Sequence, residues 1–168
     1  HPWVLVGGGA RSLMQHLMIV SAQKLRDVTD PIGYPAITGE DAAYVAPDHG
    51  TFHRMGVNED ELREFVEGEN TRDWNSTAAS CVFPYNDDGT PRELSGAYRH
   101  LWPHRSRLAS TIFFGKNKQE RGLRWFDYGI VVWSRQLTPI SLPFAFVATH
   151  NHFALADTLR VYNRSAPV

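Results

Sequence analysis

Cys81 is the sole cysteine in 168 residues, so no intramolecular disulfide can hold this chain and its fold must rest on a buried core. The length suffices for a substantial core in one domain, and the single thiol suits a reducing, cytoplasmic setting. No run approaches the roughly 20 apolar residues that a membrane-spanning helix needs, so no membrane partner is expected. The chain opens on His1 with no secretory-type leader, and we read it as a fragment of something longer.

Turn residues divide the chain into short segments. Trp3–Val6 reads as a strand or loop halted by Gly7, Gly8 and Gly9, and Ser12 is placed to cap a helix reaching about Lys24, with Leu13, Leu17 and Val20 on one face. Residues 42–45 suit a short strand. Asn58 then offers an N-cap, Glu59, Asp60 and Glu61 complement a helix dipole, and Leu62, Phe65 and Val66 supply an apolar stripe closed by Gly68. Cys81–Tyr85 resembles a strand entering the turn at Asn86–Gly89, and a further helix is expected from near Ser95 through Leu101. The polar, glycine-bounded stretch Phe114–Arg124 reads as an exposed basic loop. Ile130–Trp133, Ile140–Thr149 and Leu159–Tyr162 are β-rich. The class expected is α+β, with early helices and a mixed or antiparallel sheet in the later part.

Net charge is −1, yet the charges are segregated. Acidic residues dominate from Glu40 to Asp73, whereas Arg99, Arg105, Arg107, Lys116, Lys118, Arg121, Arg124 and Arg135 face only Glu120 and Asp127 in the later stretch. Basic side chains interleaved with Trp102, Trp125 and Tyr128 suit nucleic acid, because cations neutralise phosphates while Arg and aromatic rings reach or stack on bases. A solvated basic face beside core tryptophans has the same composition.

Other chemistries have less behind them. His49 with His53, His100 with His104, and His150 with His152 have spacings that let two ligands share a helix or strand face, but spacing indicates no third ligand. The adjacent His150-Asn151-His152 is not the dispersed motif of a ββα-metal nuclease. The triple glycine lacks the G-x-G-x-x-G or Walker ending, and no G-x-S-x-G elbow occurs. No catalytic or metal-ligating residue is assigned.

The segments Ile140–Leu155 and Val161–Val168, with Leu101–Arg105, Phe114–Lys116, Arg124–Tyr128 and His1–Leu5, resemble the C-terminal region of PglX-type adenine-specific DNA methyltransferases of the BREX or Pgl phage-resistance systems. More loosely, Phe65–Trp74 is similar to the G-x-D/N-I/V/T-R/K-x-W/Y element of TaqI-like specificity domains, and Arg124-Trp125 to their R-x-W-Y region. The resemblance implies a target-recognition domain over residues 1–168 that binds double-stranded DNA and works beside a catalytic methyltransferase domain of the same parent chain, with other phage-resistance proteins as possible partners. That catalytic domain would bind S-adenosylmethionine and flip out the adenine. The family's Asn/Asp-Pro-Pro-Tyr/Phe motif and Phe-x-Gly-x-Gly cofactor loop are absent, so the fragment itself is expected to bind no cofactor and to transfer no methyl group.

Arg72, Trp74, Trp102, Arg105, Arg107, Lys116, Lys118, Arg121, Arg124, Trp125 and Tyr128 are therefore the expected DNA-binding residues, Arg121 and Arg124 at base edges and Lys116 and Lys118 at phosphates. Two other readings stand beside this one: a protein-interaction module docking a partner through the acidic Asn58–Glu69 helix, and a small metal-dependent hydrolase built on the histidine pairs.

Overall fold

A computed structural model describes residues 9–168 of the chain, so the expected strand at Trp3–Val6, with Gly7 and Gly8, lies outside the described residues. The chain divides into two compact units, His1–Ile32 and Gly33–Val168. The first holds helix α1, Ala10–Val20. It begins after Gly9, whose φ of 82° a side chain would resist, and not at Ser12, which lies one turn inside with its hydroxyl donating to the Gly9 carbonyl at 2.7 Å. Leu13, Leu17 and Val20 are all exposed.

The second unit is α+β. In chain order it contains β1 (Ala36–Ile37), α2 (Asp41–Tyr44), β2 (Val45–Ala46), α3 (His49–Arg54), β3 (Leu62–Val66), β4 (Thr71–Arg72), β5 (Asn75–Ser76), β6 (Ala79–Val82), α4 (Gly96–Leu101), α5 (Arg105–Ser110), β7 (Ile130–Val131), α6 (Trp133–Gln136) and β8 (Val161–Tyr162). The central sheet has the order β2-β6-β3-β8. Its pairs are antiparallel except β3 with β8, which brings Phe65 opposite Val161 and Val66 opposite Tyr162.

Two expected elements change type. Residues 41–44 form a helical turn, anchored by the Thr38 hydroxyl on the Asp41 carboxylate, and not a strand. Leu62–Val66, expected within a helix, is the sheet's central strand. The spacing of Leu62, Phe65 and Val66 fits a helical stripe, but β6 and β8 hydrogen-bond its two edges and these three side chains are buried while Glu64 stays exposed, a setting in which a phenylalanine beside a β-branched residue does better than in a helix. Only the 3-10 turn Glu59–Glu61 survives of the expected helix, and Gly68 serves close packing: a Cβ there would lie 2.1 Å from the Ser165 carbonyl oxygen. The expected helix near Ser95 is present as α4, and the strand near Cys81 as β6. The stretch 140–156 contributes only isolated bridges, Ser141 to Ala156, Phe144 to Phe153 and Ala154 to Trp74.

The main core joins Tyr44, Phe52, Phe65, Phe83, Leu101, Leu108 and Tyr128. Tyr128 meets Tyr44, Tyr85 and Phe83 edge-on at centroid distances of 5.2, 5.7 and 6.1 Å, the arrangement that ring quadrupoles favour. One buried polar group organises its rim. The Glu61 carboxylate, 2% exposed, accepts from the backbone N–H of Asn58 at 3.0 Å, Ser95 at 2.5 Å and Ala97 at 3.0 Å, while its own carbonyl accepts from Phe83. It thus satisfies otherwise unpaired donors at the start of α4.

Glu61→Ala strands those donors away from water, and a single unpaired buried donor costs about 1–3 kcal/mol. The expected loss in urea denaturation is about 3 kcal/mol, with Glu61→Gln, which retains an acceptor oxygen, losing less. Equal midpoints for the alanine variant and the parent would refute the role given to this carboxylate.

Candidate nucleic-acid interface

The helical run of α4, the 3-10 turn Trp102–His104 and α5 carries the cationic surface. Arg99, Trp102 and Arg105 recur at intervals of three, which places them along one ridge, and all three are exposed. The Trp102 ring is supported from below, with its centroid 5.6 Å from Tyr98 and 5.9 Å from Trp125. The Arg105 guanidinium lies over Trp102 at 4.4 Å. Arg99 and Arg105 have no carboxylate partner among the described residues, whereas Arg107 pairs with Glu40 at 2.7 Å.

Beyond α5 the chain enters a tight turn closed by Phe113 and Lys116, whose backbones exchange hydrogen bonds of 2.9 and 3.1 Å. Lys116 is exposed there. Arg121 reaches back, its Nη1 donating to the Gly129 carbonyl at 2.6 Å.

Three expected DNA contacts turn out to be parts of the interior. Lys118 is 1% exposed, and its ammonium donates to the Trp125 carbonyl at 3.2 Å and the Tyr44 hydroxyl at 3.4 Å, so it cannot touch a phosphate. Tyr128, also 1% exposed, donates to the Val82 carbonyl at 2.6 Å. Arg124 is engaged on every side: Nε and Nη2 hold Asp127 at 3.0 and 2.7 Å, Nη1 donates to the Arg92 carbonyl at 2.6 Å, and Nη2 to the Pro84 carbonyl at 2.8 Å. It clamps two loops together, and four of its five donors are spent within the fold. Sequence gave no sign of this, because a positive charge in a polar loop looks the same whether it faces out or in.

Arg72 and Trp74 belong to a different hairpin, β4–β5. Arg72 donates to the carbonyls of Gly68 and Thr71 at 2.7 and 2.6 Å. Trp74 is 81% exposed at the tip, beside the exposed carboxylate of Asp73 and bridged to Ala154.

Histidine geometry gives no ligand cluster. His49 and His53 both contact Glu59, at 2.8 and 2.5 Å, which lowers that carboxyl's pKa. His100 Nε2 meets the Ala43 carbonyl at 3.1 Å, and His152 faces Asp73 at 3.8 Å. Among the described residues no three His, Cys, Asp or Glu side chains converge as a metal site requires. No helix of the described residues is long and apolar enough to cross a membrane.

These placements separate surface from framework. Arg124→Ala leaves the buried Asp127 carboxylate unmatched and is expected to cost about 3 kcal/mol, while Arg105→Ala stays within about 0.5 kcal/mol of the parent in the same denaturation assay. Burial, the largest influence on Lys118, lowers its pKa to about 8 from an ordinary 10.5. Between those values the unfolded chain binds the extra proton, so Lys118 makes stability rise with pH. The Cys81 thiol, pushed up to about 12 by burial, works in the opposite direction once an unfolded thiol ionises near 9. The parent should therefore gain stability from pH 8 to 9 relative to Lys118→Met. A difference between the two that is flat over that interval would contradict the buried ammonium.

No family model matches the chain. It is 32% identical over 175 residues to the adenine-specific methyltransferase PglX of Streptomyces coelicolor, an alignment that takes in 99% of this chain and 14% of that protein. The chain is thus PglX-like from end to end while spanning a small part of the relative's length.

Proposed function

We propose that the chain is a DNA target-recognition module of an adenine-specific methyltransferase. The observation that carries this reading is the ridge Arg99–Trp102–Arg105, where two guanidiniums without carboxylate partners flank an exposed indole set on an aromatic base. Five other arginines are paired with carboxylates: Arg63 with Asp87, Arg92 with Asp60, Arg107 with Glu40, Arg124 with Asp127 and Arg160 with Glu64. Cations left unmatched beside an accessible ring suit a phosphate backbone and the bases it carries. Similarity to PglX supports a methyltransferase context, and the Phe65–Trp74 and Arg124-Trp125 likenesses support a TaqI-like specificity region in particular.

A nucleotide-type cofactor ordinarily sits where parallel strands meet glycine-rich strand-to-helix turns, and among the described residues the central sheet is mostly antiparallel with strands of two to five residues, which supports placing S-adenosylmethionine elsewhere in the parent protein. No step of methyl transfer is assigned to these residues; in this reading the cofactor and the chemistry belong to the catalytic part of the parent protein. The competing protein-docking reading rested on an acidic helix over Asn58–Glu69, where the chain instead forms the 3-10 turn Glu59–Glu61 and the strand Leu62–Val66.

Fluorescence anisotropy with random-sequence duplex DNA at several salt concentrations tests the proposal. Each phosphate contact contributes about 0.9 to the slope of log affinity against log salt. Arg99→Ala/Arg105→Ala is expected to flatten that slope by about 2 and weaken binding on all sequences. Duplex binding that is absent at low salt, or indifferent to the double substitution, would overturn the assignment.

A further inference from the structure

We infer that Phe114 is an aromatic wedge that enters a base step of duplex DNA, with Lys116 beside it on the phosphate backbone. The inference rests on the DNA-binding reading above and assigns it a residue that was not among the expected DNA contacts.

The turn between Phe113 and Lys116 has two central residues, Phe114 at φ 54° and Gly115 at φ 75°. Both positions require the left-handed region, which asparagine, aspartate and glycine occupy easily and a bulky aromatic does not. The ring so placed finds no core, since Phe114 is 84% exposed, and a Cβ built on Gly115 meets nothing within 4 Å. An unfavourable backbone conformation therefore displays a ring to open space.

The base of the turn is firmly held. The Phe113 ring packs so closely on Gly129 that a Cβ there would lie 2.2 Å from it, and a Cβ on Gly39 would lie 3.1 Å from the same ring. The Arg121 guanidinium covers Phe113 at 5.8 Å and Phe114 at 6.0 Å while bonded to the Gly129 carbonyl. Lys116 stands exposed without a carboxylate partner among the described residues. A rigid apolar tip flanked by cations matches a stacked base step framed by phosphates, and phenylalanine is among the residues that partly unstack such steps. Trp74 offers a contrasting case. It too sits at a left-handed tip, φ 67°, but its neighbour is the exposed Asp73 carboxylate, which repels phosphate.

Insertion costs least where stacking is already weak. The full chain is therefore expected to bind a duplex with a central mismatch or one-nucleotide bulge about tenfold more tightly than its matched counterpart. Phe114→Ala should abolish the preference and leave the salt slope unchanged, while Phe114→Leu retains it. Phe114→Gly, whose residue suits the backbone, guards against misfolding: it should melt no lower than the parent and also lose the preference. Salt-sensitive binding with no preference in the parent, or a preference that persists in Phe114→Ala, would overturn the wedge and leave the DNA-binding module standing. No duplex binding at low salt would remove the module and the wedge together.

Discussion

The Glu61 carboxylate is the point on which the rest of the second unit depends, because it joins elements that sequence keeps apart. It ends the 3-10 turn that leads into β3, and it accepts the first donors of α4 across a separation of more than thirty residues. A Cβ on Gly96 would stand 2.1 Å from the Gly56 carbonyl, so α4 begins with its backbone pressed against the turn that Glu61 closes. Every statement about the ridge follows from that seat. Arg99 and Trp102 point outward because Ala97 and Leu101 are locked inward. A burial that looks purely structural thus decides which cations meet solvent.

Charge segregation along the chain resolves into two populations in space. Arg63, Arg92 and Arg160 fasten carboxylates of the acidic stretch and its neighbours, Arg107 reaches back to Glu40, and Arg124 is held by Asp127 and two loop carbonyls. Such pairs, partly shielded and multiply bonded, hold geometry more than they advertise charge. The ridge and the Phe114 turn are where exposed cations stand beside exposed aromatic rings. That accounts for a near-neutral protein that still presents a cationic, aromatic surface.

Local signals made some of this legible. The helix at α4 follows from a cap region and good helix formers, the strand at β6 from Cys81-Val82, and the loop from its glycines and charges. The helix expected at 58–66 was misread because Leu62, Phe65 and Val66 satisfy a helical stripe and a two-sided strand equally well, and only the partners β6 and β8 decide between them. Lys118 and Tyr128 were read as surface for a related reason. Their neighbours Lys116, Arg121 and Arg124 are polar in sequence, yet a 3-10 turn at Gln119–Arg121 rotates the Lys118 stem under Tyr44. The likeness to PglX was legible because it extends over nearly the whole chain and does not hang on any single spacing.

Phe114 was quoted in the sequence and passed over, and the reason is physical. A dipeptide Phe-Gly carries no hydrophobic periodicity, and its information lies in dihedral angles that sequence does not display. A chain that needed only to reverse direction would place asparagine or aspartate before Gly115 and avoid the left-handed strain of a bulky side chain. A chain that needed only apolar area would bury the ring. The combination of strain, exposure, a clamped base and flanking cations is economical only if the ring's partner lies outside the protein. Strain of this kind persists where surrounding packing overrides local preference, and here that packing is the Phe113 ring held between Gly39 and Gly129 under the guanidinium of Arg121.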